Sequence, residues 1–122
     1  MDEIIGYINK ASEKLRAAKI LYDSKSYSNS ISMSYYAMFL VAKALLLKRD
    51  IEAKTHSGLS YIFYKTYVET GEFSDRVYRN FTRAQTLREQ SDYSVLDDIT
   101  QDIARKKLVH CKEFFNEAEK FL

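Results

Sequence analysis

The segment Arg88-Glu89-Gln90-Ser91-Asp92-Tyr93 combines side chains that could do chemistry with a position near the end of a predicted helix. Helical periodicity places Arg88 on a face that is otherwise apolar. A guanidinium keeps its proton, so a buried arginine needs an anionic or multiply hydrogen-bonded partner. Asp92 could provide that partner as a structural ion pair. Alternatively, Arg88 could bind a phosphate, with the hydroxyls of Ser91 and Tyr93 beside it.

A second candidate is Lys54-Thr55-His56, where the third helix is predicted to begin. The N-terminus of a helix attracts anions, and Lys54 would add positive charge there. His56 could transfer protons near neutral pH. The alternative is a helix start that is capped by Thr55 and carries a solvent-exposed histidine.

A third segment has arginine and histidine with four residues between them, Arg105 and His110. In a continuous helix these side chains lie about 140° apart around the axis, so they cannot easily meet at one ligand. We interpret this spacing as coincidental, and we expect both side chains to lie on a solvated basic face of the helix.

The sequence lacks the residues that other common functional sites need. Two histidines and one cysteine are too few for an ordinary zinc site, and no Glu-x-x-His pair indicates a di-iron bundle. No glycine-rich phosphate loop is present. We therefore predict no metal and no cofactor. The tyrosines at positions 35, 36, 61 and 64 are interpreted as core and interface side chains.

The whole chain, 1–122, is predicted to form one domain with a mainly helical fold. It contains no proline and only three glycines, which favours long helices joined by short loops. The net charge of +2 does not indicate a dense basic surface that reads DNA or RNA. The single cysteine, Cys111, fits a reducing cytoplasm. We found no signal peptide and no apolar run that approaches the roughly 20 residues needed to span a bilayer.

Five segments with helical periodicity position these candidates. We predict helices over residues 2–25, 27–49, 55–70, 75 to 90 or 92, and 97–122. The second has two adjacent apolar stripes, which indicates a central helix or one that also meets a second subunit. Gly71 is predicted to end the third helix and Ser74 to cap the fourth. This short connection predicts an antiparallel, up-and-down bundle of four long helices and one shorter helix.

Four stretches in this order resemble HEPN domains, in particular a small stand-alone branch from prokaryotes and archaea. They are Ala-Ser-Glu-Lys-Leu-Arg-Ala-Ala (11–18), Ser-Tyr-Tyr-Ala-Met-Phe (34–39), Lys-Thr-His-Ser-Gly-Leu (54–59) and Arg-Glu-Gln-Ser-Asp-Tyr (88–93). The resemblance implies the same helical bundle, usually as a homodimer. It also implies frequent pairing with a minimal nucleotidyltransferase, in the manner of a toxin and its antitoxin.

Many HEPN proteins are metal-independent ribonucleases whose motif is arginine, four to six residues, then histidine. Carried over, the motif arginine is Arg88, but the position five residues later is Tyr93, preceded by Asp92. Tyrosine titrates near pH 10, which makes it a poor base at neutral pH. The resemblance thus implies a weak endoribonuclease in which Arg88, Asp92 and Tyr93 are catalytic at a dimer cleft.

In this hypothesis Lys54, His56 and Ser91 contribute to binding, and either Tyr93 or His56 handles protons. The alternative is a non-catalytic helical module that dimerises or binds a partner or a nucleotide.

Overall fold

The computed structural model describes residues 2–93 and 99–122, without the side chain of Tyr93. Within these ranges the chain forms helices and no strand, as predicted. The helices are α1 (Asp2–Asp23), α2 (Tyr27–Leu47), α3 (His56–Phe63), α4 (Asp75–Tyr93) and α5 (Gln101–Ala118). A π-helical turn, Tyr64–Val68, extends α3, and a 3₁₀ turn, Glu119–Phe121, follows α5. The prediction of four long helices and one shorter helix is confirmed.

Helix α2 is the central element and packs against α1, α4, α5 and α3. Its first predicted stripe is fully buried: Ile31, Tyr35, Met38, Ala42 and Leu45. In the second stripe Leu46 is buried, whereas Tyr36 and Phe39 are half-buried. By length and composition alone this helix could cross a membrane, a property that the sequence analysis missed. Because 61% of its apolar window is buried, the bundle core accounts for that composition.

Aromatic side chains fill the centre of the bundle. Phe63 and Phe73 lie 5.0 Å apart between ring centroids, and Phe81 and Phe114 lie 5.3 Å apart. These four rings come from three different helices and the α3–α4 connection, so their contacts set how the helices sit against one another. Burying each ring contributes roughly 1.5–3 kcal/mol relative to leaving it exposed.

Three local signals that were predicted to shape the helix ends are present in the structure. The Thr55 hydroxyl accepts a hydrogen bond from the Gly58 N–H at 2.9 Å and caps α3. Gly71 has φ +85°, a left-handed conformation that glycine adopts without strain. The Ser74 hydroxyl accepts a hydrogen bond from the Val77 N–H at the start of α4.

Other boundaries differ from the prediction. Helices α1 and α2 each end two residues early, and the α-helical part of α3 ends at Phe63 instead of continuing to residue 70. The π-helical turn that follows lets both Tyr67 and Val68 face the core. Helix α5 begins at Gln101 and not at residue 97, because the hydroxyl of Thr100 accepts from the Ile103 N–H and caps the helix there.

Candidate functional site

The Arg88 side chain points inward from α4 toward α2 and contacts three other side chains. Its side chain is 17% exposed. Nη1 donates a hydrogen bond to a carboxylate oxygen of Asp92 at 2.9 Å and another to the Tyr36 hydroxyl at 3.1 Å. The guanidinium carbon lies 5.3 Å from the centre of the Tyr35 ring and 5.4 Å from that of Tyr36. The plane and position of the cation are therefore fixed before any ligand binds.

Part of the Arg88 guanidinium has no partner in the described part of the chain. Nε is buried there without a hydrogen bond. Both hydrogen bonds from the guanidinium to described residues use Nη1. A buried donor without an acceptor is costly and calls for an explanation. An anion such as a phosphate oxygen would satisfy this donor.

His56 is the first residue of α3 and lies against aromatic rings of α2. Its imidazole stacks on Phe39 with 4.1 Å between ring centroids. Nδ1 is 2.7 Å from the Tyr35 hydroxyl. Burial lowers the pKa of His56 below its usual range, and the positive charge of Arg88 lowers it further. His56 is thus a neutral imidazole at neutral pH, the form that can accept a proton.

Tyr35 connects this histidine to the core. Burial raises the pKa of its hydroxyl far above the usual tyrosine value, so the phenol keeps its proton. A hydroxyl can both donate and accept, and Tyr35 can therefore support either tautomer of the His56 ring. Nδ1 is occupied by this bond, which leaves Nε2 as the nitrogen for a ligand.

Together Arg88, Asp92, Tyr36, Tyr35 and His56 form one continuous group, here named the Arg88–His56 cluster. It is built from α2, α3 and α4, and every neighbouring pair along it is joined by a hydrogen bond or a ring contact. In the sequence, Arg88 and Asp92 belong to one candidate and His56 to another, and both tyrosines were interpreted as packing residues. Consecutive residues on a helix point about 100° apart, so the adjacent tyrosines contact different faces of the cluster.

Two other predicted site residues, Lys54 and Ser91, are not joined to this cluster within the described part of the chain. Lys54 is exposed and Ser91 is half-buried, and no hydrogen bond or ion pair connects either to the cluster within the described residues. The backbone of Tyr93 ends α4, but its side chain lies outside the described part of the chain. The predicted role of Tyr93 therefore remains a prediction.

The third candidate, on α5, is only partly as expected. Arg105 is exposed and pairs with Asp102 at 3.0 Å. His110, however, is half-buried, and burial lowers its pKa below the usual range. The interpretation of a fully solvated face is wrong for His110, because this position lies beside the stripe with which α5 packs into the bundle.

A cavity of about 310 Å³ opens beside the cluster. Tyr36 and His56 belong both to the cluster and to the cavity wall. Met33, Phe39 and Leu40 of α2 and Lys10 and Lys14 of α1 complete the lining. Among the described residues, no group of three or more histidine, cysteine or carboxylate side chains is placed to hold a metal ion.

The described residues form an all-α bundle in which an arginine and a histidine share one aromatic cluster. These features place the protein in the class of small helical-bundle domains. The chain belongs to the HEPN domain family, whose model matches residues 6–121. Among its relatives, the protein named "Putative toxin MJ0142" of Methanocaldococcus jannaschii is 33% identical over 120 residues, covering 98% of this chain and 82% of that protein.

Two further comparisons agree with this assignment. A UPF0332 protein of Archaeoglobus fulgidus is 36% identical over 119 residues, covering 98% of this chain and 94% of that protein. The crystal structure of ST0689, an archaeal HEPN homologue, has a TM-score of 0.77 at 16% identity, with 98% of each chain covered. That structure supports the fold alone, and the relatives make this chain a toxin-like HEPN protein.

Proposed function

We propose that this protein is a metal-independent endoribonuclease and the toxin-like member of a two-component system. The observation that carries the proposal is that Arg88 and His56 share one cluster, with Tyr35 bonded to His56 and under the Arg88 guanidinium. A fixed cation and a neutral imidazole are the two groups that RNA cleavage by its own 2′-hydroxyl requires.

In the proposed reaction the RNA 2′-hydroxyl attacks the adjacent phosphorus. His56 accepts the hydroxyl proton as the 2′-O–P bond forms. Arg88 stabilises the negative charge on the phosphate oxygens through its guanidinium. The P–O5′ bond then breaks, and the protonated imidazole returns the proton to the departing 5′ oxygen. The products are a 2′,3′-cyclic phosphate and a 5′-hydroxyl.

The remaining predicted residues have supporting roles in this proposal. Asp92 orients the guanidinium through the ion pair at 2.9 Å. Lys54 and Ser91 bind the RNA backbone farther from the reacting phosphate, and Tyr93 is a second proton donor. The working unit is a homodimer with two clusters at a shared cleft, and its partner is a minimal nucleotidyltransferase. The resemblance to HEPN toxins motivates both of these assignments.

The decisive experiment is RNA cleavage in EDTA, with the products analysed for cyclic phosphate ends. We expect slow cleavage by the wild-type protein and a loss of about 10²–10⁴-fold in His56→Ala, which is the usual contribution of a general base. His110→Ala removes the other histidine, far along the chain on α5, and is the matched control that should cleave normally. Equal rates in His56→Ala and wild type would contradict the proposed role of His56.

A second candidate function is a non-catalytic partner-binding module. The Arg88–Asp92 contact favours it, because an ion pair four residues apart on one helix is also a common structural feature. This alternative predicts no cleavage by any variant, together with retained binding of a minimal nucleotidyltransferase. Cleavage that disappears in His56→Ala would exclude it.

A further inference from the structure

The cavity beside the Arg88–His56 cluster is lined by two chemically different sets of residues. The apolar set consists of Met33, Tyr36, Phe39 and Leu40, all on α2 and all half-buried. Helix α1 adds two cationic residues to the lining, Lys10 and Lys14. Its volume, about 310 Å³, is near the lower limit of the usual range for small-molecule sites, about 300–1,000 Å³.

The two lysines have no ionic partner in the described part of the chain. They are four residues apart on one helix, and like charges at this spacing destabilise the helix slightly. Neither forms an ion pair with a described carboxylate, although several other lysines and arginines of this protein do. An anion at the cavity would remove this repulsion.

The charges around His56 also favour an anionic ligand at the cavity. Among the described residues, Arg88 and Lys43 act on His56 as positive charges, and Glu89 opposes them. A second copy of this chain is a poor occupant of the cavity itself, because a two-fold contact that closed the cavity would bring the same lysines toward each other. The proposed dimer differs from such a contact, because it leaves the cleft between its two clusters open for RNA. The ligand that fits has a flat apolar part and a negatively charged part.

We propose that this cavity binds one unpaired nucleobase of a single-stranded RNA, with the adjoining phosphates held by Lys10 and Lys14. This proposal deepens the proposed function, on which it rests for the identity of the ligand. Unpaired bases stack on aromatic side chains, which Tyr36 and Phe39 provide here. Because Tyr36 and His56 also belong to the Arg88–His56 cluster, a base in the cavity brings its own ribose and phosphate to the reacting groups.

The test measures binding of a short fluorescent RNA whose riboses carry 2′-O-methyl groups, by fluorescence anisotropy. This probe cannot be cleaved, so the result does not depend on catalysis. Met33→Trp fills the cavity, and we expect it to weaken binding by about 5- to 150-fold, the equivalent of ~1–3 kcal/mol for one stacked base. The same RNA as a duplex should bind more weakly than the single strand.

The lysines are tested by Lys10→Ala/Lys14→Ala. If each lysine contacts one phosphate, the slope of log affinity against log salt should fall by about 1.4, since each contact on a single strand contributes about 0.7. Lys19→Ala/Lys112→Ala removes the same charge from two exposed positions away from the cavity and should leave affinity and slope almost unchanged. Lys10 is exposed and Lys14 half-buried, so this pair stays informative if Met33→Trp does not fold.

Several outcomes would overturn the cavity proposal. They are no measurable binding by the wild-type protein, equal affinity for duplex and single strand, or unchanged affinity in both Met33→Trp and Lys10→Ala/Lys14→Ala. A change of oligomeric state in Met33→Trp with RNA affinity retained would assign the cavity to a subunit interface instead. If cleavage requires His56 but is unchanged in Met33→Trp, the proposed function holds and only the cavity proposal fails. The failure of one proposal can therefore be told from the failure of the other.

Discussion

Arg88 is held mainly by aromatic side chains. Its ion pair with Asp92 involves a carboxylate side chain that is 46% exposed, and ion pairs of this kind contribute only about 0–1 kcal/mol. The two tyrosine rings and the Tyr36 hydroxyl are better shielded, and cation–π contacts contribute about 0.5–2 kcal/mol, with the upper end reached when desolvated. The guanidinium should therefore keep its position even when Asp92 is neutralised.

We expect Arg88→Ala to lose RNA cleavage by about 10²–10³-fold, the usual effect of removing one donor that stabilises transition-state charge. Arg88→Lys should also lose RNA cleavage, because an ammonium group cannot reproduce the planar, two-donor geometry of the guanidinium. The measurement is the cleavage rate in EDTA beside a thermal melting curve for each variant. Arg83→Ala, on an exposed position of α4, is the control. A folded Arg88→Ala protein with the wild-type rate would remove Arg88 from the site.

The pH profile of cleavage separates His56 from Tyr93. Burial and Arg88 lower the pKa of His56, so its basic form is already present below the usual histidine range, and the rate should reach its plateau by neutral pH. Any residual activity of Arg88→Ala should show its inflection at higher pH, because the variant lacks a positive charge that disfavours imidazolium. A rate that continues to rise toward pH 10 would instead indicate a Tyr93 phenolate.

At the scale of single elements, the start of α3 positions the histidine of the cluster. The Thr55 hydroxyl occupies the first turn of this helix so closely that a Cβ on Gly58 would lie 2.8 Å from it. The helix has only eight α-helical residues, so its first turn makes up much of its length. The cap and the glycine together therefore define where His56 begins the helix.

Thr55→Ala should destabilise the protein by about 1 kcal/mol, the typical cost of losing an N-cap side chain. It should also slow cleavage, because the first turn then frays and the bond between His56 and Tyr35 is less populated. Thr55→Ser keeps a capping hydroxyl and should restore both properties. Chemical denaturation and cleavage rates measure the two effects. Normal cleavage by a destabilised Thr55→Ala protein would show that the cap does not position His56.

At the scale of the whole molecule, the apolar faces of α2 are largely used within one chain. The stripes that suggested a second subunit are buried or half-buried against neighbouring helices. The large apolar side chains that remain exposed include Tyr61, on the same helix as His56, and Val109, on α5. A dimer that brings two clusters to one cleft would place α3, and hence Tyr61, near the partner subunit.

We predict a homodimer at micromolar concentration, with a scattering mass about twice the 14.3 kDa of one chain. Tyr61→Glu should shift the protein toward monomer, because a buried charge without a partner is costly at an interface. Val109→Glu introduces the same charge on α5 and should leave the dimer intact. Light scattering that reports only the mass of one chain for the wild-type protein would contradict this prediction.

The sequence by itself determined the helical class, the antiparallel bundle and most of the helix starts. These follow from local rules: the spacing of apolar residues, the hydroxyl caps at Thr55 and Ser74, and the left-handed glycine at Gly71. The inward face of Arg88 follows from the same periodicity. The capping hydroxyl of Thr100 is a local signal of the same kind, and the prediction missed it. At the π-helical turn no local signal was sufficient, because core packing sets the end of α3.

Only the tertiary structure decided which candidates share a site. Arg88 and His56 lie on different helices, and their contact depends on how α3 and α4 dock on α2. That docking is set by aromatic packing across the core, which has no fixed spacing along the chain. The two tyrosines that join them, Tyr35 and Tyr36, carry the same sequence signal as ordinary core residues. They become part of a site because the register of three packed helices places a hydroxyl beside each charged or titrating group.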